Sequence, residues 1–438
     1  MASPGPERQV VARRANRRCW SSLETASPST LREIQEEALP RRIEQAYREA
    51  LLYQELWGAQ GVTPASIRAL SDLGRLPLVT KDMVRDFRRR TGDPFGGMAG
   101  PVRPGSVVSS STGTSGEPTY FVTSPGDVDR AADEVASYLW QIGNRPGDVV
   151  VAGVGSGTRA DAPMRRASEM VGLVSVLVDQ GHLDAFLAEV DYLQPKQIGL
   201  TTGSLDRLVS RVTELGKDFE QLFSAVCRVT YAGRRLPASE RRRIAEVLNV
   251  EVFEVGGLGD IGLWMSDCEA HDAMHLREDF FVVETIDPKT AAPVAPGEFG
   301  ELVFTSLWES SMNYVRWRSE DLGVVTTEPC RCGRTTARIR VFGRVWERVT
   351  VGRRSLFPAD VEEVLLEVFG KEPLFQLVKR RGGTALVAIN LALADAGVGD
   401  ARRALAEALG VEVPIRVLPE DEILAGSPGY KYRQVLDE

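Results

Sequence analysis

VVVAGVGSGTRADAPMRRASEMVGLVSVLVDQGHLDAFLAEVDYLQPKQIGLTTGSLDRLVSRVTEL, residues 149–215, sets the architecture of the chain. Val149-Val150-Val151-Ala152, Val174 to Val178 and Ile198-Gly199-Leu200 are short apolar runs, so each reads as a strand buried on both faces. Asp184 to Leu193 and Ser204 to Leu215 space their apolar residues as helices do. The alternation continues outward, with helical patterns at Asp127 to Gln141 and Ala238 to Leu248 and a strand at Val226 to Tyr231. Strands alternating with helices predict an α/β fold, a sheet covered by helices on its faces. Phe280 to Val303 is strand- and turn-rich, punctuated by Asp287-Pro288 and Pro296-Gly297. Upstream, Ser29 to about Trp57 reads as helical, and Ser66 is placed to cap a short segment. After Gly343 a small α+β unit is expected, with helices at Val361 to Phe369 and Ala401 to Leu409 and strands at Leu374 to Val378 and Leu386 to Asn390.

The 438 residues, 43% hydrophobic and 26% charged, supply a large core and two or three domains. A net charge of −8 argues against an electrostatic nucleic-acid binder. No apolar run reaches the roughly 18 residues that a membrane span needs. Without a secretory apolar segment, and with only five cysteines, a reducing, cytoplasmic setting is expected. Arg8, Arg13, Arg14, Arg17 and Arg18 lie among small residues and read as a solvated terminus rather than a partner-binding arm.

Ser109 to Thr119, Ser-Ser-Ser-Thr-Gly-Thr-Ser-Gly-Glu-Pro-Thr, follows a strand-like Ser106-Val107-Val108. Phosphate oxygens need short donors that approach without steric block, and Gly, Ser and Thr supply them. A flexible linker has the same composition, and the Lys-Ser/Thr ending of a Walker loop is absent. Gly153-Val154-Gly155-Ser156-Gly157 has the wrong glycine spacing for a dinucleotide turn. Cys268, His275, Cys330 and Cys332 are the donor types that zinc prefers, with His271 an alternative fourth ligand and unrelated thiols the plain reading.

The Ser/Thr/Gly loop is similar to the phosphate-binding loop of the adenylate-forming superfamily of acyl-CoA synthetases, luciferases and adenylation domains. From about residue 30 onward the chain resembles the phenylacetate–CoA ligase branch. The resemblance is carried by His275-Leu276-Arg277-Glu278-Asp279-Phe280, Glu284 to Pro288, Gly297 to Thr305, Val315 to Leu322, Cys330-Arg331-Cys332-Gly333-Arg334-Thr335, Gly343-Arg344 and Leu356-Phe357-Pro358. It implies a large multi-sheet N-terminal adenylating domain over 29–343 and a small mobile α+β domain over 344–438; residues 1–28 are expected to form a flexible arm. It also implies two half-reactions: ATP and a carboxylic acid, aromatic by the branch, give an acyl-adenylate and pyrophosphate; an acceptor, usually the CoA thiol, then displaces AMP.

Through the resemblance, Ser111, Thr112, Gly113, Thr114, Ser115 and Gly116 match the phosphate loop. Gly233, with Arg234 beside it, matches the turn against adenine, Asp321 the ribose carboxylate and Arg344 the domain-junction arginine. Lys431 matches the mobile catalytic lysine, a cation suited to charge that builds up in the transition state. Three blocks depart from the family pattern. Gly256-Gly257-Leu258-Gly259-Asp260 lacks the usual aromatic and hydroxyl, and Asp260 replaces the longer Mg²⁺-linked Glu. Glu117 stands where a Lys is common, and Trp346-Glu347 replaces paired aspartates. Part of the family shares the Cys/His pattern, which implies a structural Zn²⁺. The resemblance excludes neither a homodimer, nor an amine acceptor as in amide synthetases or diazotases of small-molecule biosynthesis, nor a non-catalytic nucleotide-binding homologue.

Overall fold

A computed structural model describes residues 18–111, 118–153, 159–178, 181–351, 354–380, 384–390, 397–410, 412–425 and 433–437. Near the N-terminus, Pro28 and the Ser27 side chain, which accepts from Thr30 N–H, start helix α1 (Pro28–Glu49). The single helix expected as far as Trp57 is two, because Ala50 is extended and buried before α2 (Leu51–Ala59). The break is tertiary in origin: Leu52 N–H donates to the Gly97 carbonyl at 3.1 Å. A Cβ on Gly97, at φ +73, would meet Leu52 N at 2.8 Å. Ser66 closes rather than opens its segment, since the 3-10 turn Pro64–Ser66 begins after Thr63 and Ser66 Oγ donates back to the Thr63 carbonyl at 2.6 Å.

Helix α3 (Lys81–Thr91) starts where Thr80 accepts from Met83 N–H and stops at left-handed Gly92. A hairpin of β1 (Val107–Ser111) and β2 (Thr119–Thr123) leads to α4 (Pro125–Gln141). The doubly wound half follows, with parallel strands β3 (Val149–Ala152), β4 (Val174–Leu177), β5 (Gln197–Thr201), β6 (Arg228–Ala232) and β7 (Glu251–Leu258). Helices α5 (Asp161–Val171), α6 (Leu183–Leu193), α7 (Ser204–Glu214), α8 (Phe219–Phe223) and α9 (Ala238–Leu248) lie between them in sequence. Buried Val151, Ile198, Leu200 and Val229 meet Phe186, Leu208 and Ile244 of these helices, as the uninterrupted apolar runs predict.

The sheet continues through antiparallel β8 (Leu263–Ser266), β9 (Met274–His275), β10 (Phe281–Ile286), β11 (Gly300–Ser306), β12 (Trp317–Thr326) and β13 (Arg338–Arg344). Its eleven strands run in the order β10-β11-β12-β13-β9-β8-β7-β6-β5-β3-β4. Beyond it come β14 (Val349–Val351), β15 (Arg354–Leu356) and α10 (Pro358–Phe369). A four-stranded sheet, ordered β18-β17-β16-β19, is made by β16 (Phe375–Arg380), β17 (Thr384–Asn390), β18 (Ile415–Leu418) and β19 (Val435–Asp437). Helices α11 (Val398–Leu409) and α12 (Glu420–Leu424) complete this unit, which has its own core around Val361, Leu365, Phe375 and Leu405. No helix among the described residues is long and apolar enough to cross a membrane.

Within the arm expected over 1–28, the described residues after 18 are packed down. Trp20 lies 5.7 Å from Trp140, and buried Glu24 accepts from Arg334 Nε at 2.9 Å. A buried cation needs such a carboxylate, and that tertiary partner holds the terminus.

The segment from Met312 to Arg316 is pinned from α1 and α2. Arg42, fully buried, donates to Asn313 Oδ1 at 2.8 Å. The Tyr53 hydroxyl accepts from Val315 N–H at 2.8 Å and lies 3.0 Å from the Asn313 carbonyl. Replacing Tyr53 by Phe leaves that buried N–H without its acceptor, a cost of about 1–3 kcal/mol. The denaturation midpoint of Tyr53→Phe is therefore expected to fall; an unchanged midpoint would show that the hydroxyl does not hold this segment.

Candidate active site

Strand β12 carries the centre of the site on a bulge. Glu301 pairs with Leu322 and Val303 with Arg318, so Ser319, Glu320 and Asp321 together oppose Leu302 alone. Glu320 takes φ +66 there, and Ser319 Oγ spans the irregularity, accepting from Asp321 N–H at 3.0 Å and donating to the Leu302 carbonyl at 2.8 Å. Across β13, Asp321 lies opposite Arg344, whose Nε is 3.7 Å from Asp321 Oδ1. The Arg344 N–H donates to Glu347 Oε2 at 2.9 Å.

Lys81 arrives from the other side. Val79 N–H donates to the Arg316 carbonyl at 3.0 Å and Arg318 N–H to the Val79 carbonyl at 2.9 Å, so the chain entering α3 is stitched to the start of β12. Lys81 Nζ then lies 3.0 Å from Asp260 Oδ2 and 3.5 Å from Glu320 Oε2. The sequence reading missed this lysine: Thr80 marks the cap legibly, but a lysine at the first turn of a helix looks solvated. Burial pushes the Asp321 carboxyl up to about 7; Arg344 and Lys81 pull it down, and Glu347 and Asp260 push it further up. Carboxylates outnumber cations here, and Asp260 and Glu320 offer the oxygen donors that a hard divalent ion takes.

The other predicted residues fall into three groups. Ser111 ends β1 and pairs with Thr119 of β2. Thr112, Gly113, Thr114, Ser115 and Gly116 lie outside the described residues, as do Glu117 and Lys431. Gly233 follows β6 at φ +110, with open space where a Cβ would be. Arg234 beside it bears on buried Glu362 and on Glu372, carboxyls that burial raises and its charge lowers. Gly256 and Gly257 are inside β7, opposite Met265 and Trp264. A Cβ on Gly256 would meet Met274 Sδ at 2.7 Å, and one on Gly257 would clash with the Leu263 carbonyl, so strand packing requires glycine at both.

Away from this centre, Cys268, His275, Cys330 and Cys332 are all buried, with ligand atoms within 4.8 Å of one another. Cys268 and Cys330 sulfurs are 3.7 Å apart, and Cys332 Sγ is 3.4 Å from His275 Nε2. A tetrahedral zinc with Zn–S of about 2.3 Å has ligand–ligand edges of about 3.8 Å, so the donor set fits. His275 Nδ1 is 3.0 Å from Thr336 Oγ1, which fixes the ring. Gly333 at φ +87 turns the Cys-x-Cys loop, and main-chain N–H groups of Ala270 and Arg334 point at Cys268 and Cys332 sulfur. The hydrogen bond from the Cys268 thiol holds Cys332 well below the ordinary thiol range and pushes Cys268 up. His271, the alternative, hydrogen-bonds Asp267 Oδ2 at 3.0 Å and is outside the cluster.

No protein-family model matches the chain. Phenylacetate-coenzyme A ligase of Thermus thermophilus is 30% identical over 367 residues, 83% of this chain and 81% of that protein. The enzyme of the same name from Escherichia coli is 27% identical over 382 residues, 86% and 85% of the two chains. Among solved structures, 2-hydroxyisobutyryl-CoA ligase in the postadenylation state in complex with R3-HIB-AMP has a TM-score of 0.82 at 21% identity, over 100% of this chain and 94% of that one. The same ligase with 2-HIB-AMP and CoA in the thioesterification state has a TM-score of 0.69 at 22% identity, over 97% and 93%. These two share the fold, a large α/β domain followed by a small one. The bulged β12 with Asp321, and Arg344 opposite it, thus stand in a sequence 30% identical to a ligase across more than four-fifths of its own length, and the chain belongs to the phenylacetate–CoA ligase family.

Proposed function

We propose that the chain is an adenylate-forming ligase that uses ATP to activate a carboxylic acid as its acyl-adenylate, releases pyrophosphate and passes the acyl group to the CoA thiol. The observation that carries this is the meeting of Asp321, Arg344, Lys81 and Asp260 beside one bulge of the sheet in a member of this family. The names of its relatives favour an aromatic acid such as phenylacetate.

The residues divide the work. Asp321, once ionised, can accept from two neighbouring ribose hydroxyls. Gly233, with no side chain in the way, leaves room for a flat base. Lys81, poised among carboxylates, offers its ammonium to phosphate oxygens as negative charge develops. Mg²⁺, when bound, would neutralise the phosphates and take oxygen donors from Asp260 and Glu320. Lys431 is proposed to come from the small domain during adenylation, with 29–343 and 344–438 as the two domains. Zinc is proposed at Cys268, His275, Cys330 and Cys332 in a structural role, because four protein ligands leave no open position for chemistry.

ATP–pyrophosphate exchange across a panel of carboxylic acids tests the reading. At least one acid is expected to support exchange, followed by AMP release with CoA but not with amines. Lys431→Ala should lower exchange by about two orders of magnitude, the scale of one lost electrostatic stabiliser. A panel that gives no exchange in the parent protein rejects activation.

Adenosine, which has no titrating phosphate, reports on Asp321. If only the ionised carboxylate grips the ribose, affinity should be level above about pH 7 and weaken about tenfold per unit below it. Asp321→Asn should be weak and flat with pH, and a parent profile that is also flat removes Asp321 from the ribose site. The shift acts in the opposite sense on folding. The contribution of a raised carboxyl is complete below its ordinary value of 3.8 and is lost as pH rises through about 7.

Elemental analysis is expected to find about one zinc per chain, and Cys332→Ser should lower the melting temperature before it alters the exchange rate constant. Protein without zinc whose five thiols all titrate in the folded state contradicts the assignment.

A further inference from the structure

A cation with no ion pair among the described residues stands beside the turn that carries Asp260. Arg159 lies between the C-terminal end of β3 and the start of α5, on the edge of the parallel strands where open α/β sheets bind ligands. Its Nη1 donates to the Asp260 carbonyl at 3.1 Å and to the Gly259 carbonyl. The guanidinium carbon is 4.4 Å from the centre of the Phe121 ring, which lies in β2 of the hairpin. Its charge also reaches the Tyr314 phenol, whose titration burial pushes up and Arg159 pulls down. Phe121 and Tyr314 are 2% and 3% exposed, so two aromatic residues of the core border the cation.

Arginines elsewhere around the sheet show the usual way of neutralising this charge. Arg130 pairs with Glu134, Arg277 with Asp133 and Asp279, Arg316 with Glu284, and Arg318 with Glu301. Arg159 has no such ion pair among the described residues. The carboxylate nearest in sequence to its carbonyl partners, that of Asp260, is engaged by Lys81 at 3.0 Å. Two main-chain carbonyls and a ring therefore fix a guanidinium that has no ion pair among the described residues. A planar fork held in this way matches a planar carboxylate, and aromatic walls lower the local dielectric and strengthen the pair. The walls also discriminate between the two oxyanions of the reaction. A guanidinium backed by the buried Phe121 ring is shielded from water on that face, which favours a weakly hydrated organic carboxylate over a hydrated, Mg²⁺-bound polyphosphate.

We propose that Arg159 is a specificity-determining residue, which docks the carboxylate of the acid substrate and aims it at the nucleotide. This rests on the activation reading above. It adds that the acid is selected by a fixed guanidinium between aromatic side chains at the end of β3, and not by the residues that hold ATP.

The test uses the full chain with acetate, benzoate and phenylacetate as probes, in ATP–pyrophosphate exchange and in calorimetric binding without ATP. Arg159→Gln is expected to raise the KM for the acid at least about tenfold, the scale of a lost charge-assisted hydrogen bond. The KM for ATP should stay within about twofold and kcat at saturating acid within a few-fold. Arg159→Lys, which keeps the charge but not the fork, should fall between the two and also covers the case in which Gln destabilises the protein. An unchanged KM for the acid, or a rise in the KM for ATP instead, overturns the proposal while the exchange seen in the parent upholds activation. If the parent exchanges with no acid, activation falls by itself. Calorimetry then decides for Arg159 if binding of a probe is lost in Arg159→Gln, and against it if binding is absent or unchanged.

Discussion

The site depends on one irregularity, the three residues of β12 that face a single residue of β11. In a regular strand Ser319, Glu320 and Asp321 would alternate between the faces of the sheet. The bulge, with Glu320 at positive φ, frees this stretch from that alternation beside β13 and Arg344. It also interrupts the pairing of β11 and β12 next to Arg318, where Val79 joins and delivers Lys81. Ser319, bonded on both sides, keeps the irregularity from collapsing into an ordinary ladder.

What collects there is a balance of unlike charges at different depths. Asp321 is deep enough that burial opposes its ionisation, and the lysine and arginine next to it offset only part of that cost. Asp260 is already paired, so it holds Lys81 in place before any ligand arrives. The opposite arrangement prevails at the cysteine cluster, where every donor is buried and main-chain N–H groups already point at two of the sulfurs.

The parallel half of the sheet was legible in the sequence because strands buried on both faces have no polar alternation to confuse with a helix. Val149 to Ala152, Ile198 to Leu200 and helix Ala238 to Leu248 emerge close to where their patterns predict them. The helix break at Ala50 was not legible, since its cause is the carbonyl of Gly97, distant in sequence. Ser66 shows the weakness of a local rule: its hydroxyl bonds backward to Thr63 instead of forward into a helix. In the site, the resemblance carried Asp321 and Arg344, which lie in quotable blocks. Lys81 and Arg159 sit in no block, and only folding brings them to Asp260. Packing against Met274 and Leu263 gives Gly256 and Gly257 a structural reason to be glycine that the block alone did not show.

The pinning of α1 and α2 bears on how the chain is made. Arg42 and Asn313 are 271 positions apart, Tyr53 and Val315 262, and Glu24 and Arg334 310. The apolar stripe of Leu39, Ile43 and Trp57 packs in a core that includes Met312, Val315 and Trp317. During synthesis at about 5–20 residues per second, these first helices must wait some tens of seconds for the strands that cover them. The parallel half, by contrast, draws the core of one of its faces from within 151–252, and that face can close while the ribosome is still at work. The order of assembly is thus the reverse of the order of the sequence at its start: the middle folds first, and the beginning docks when nearly the whole large domain has emerged.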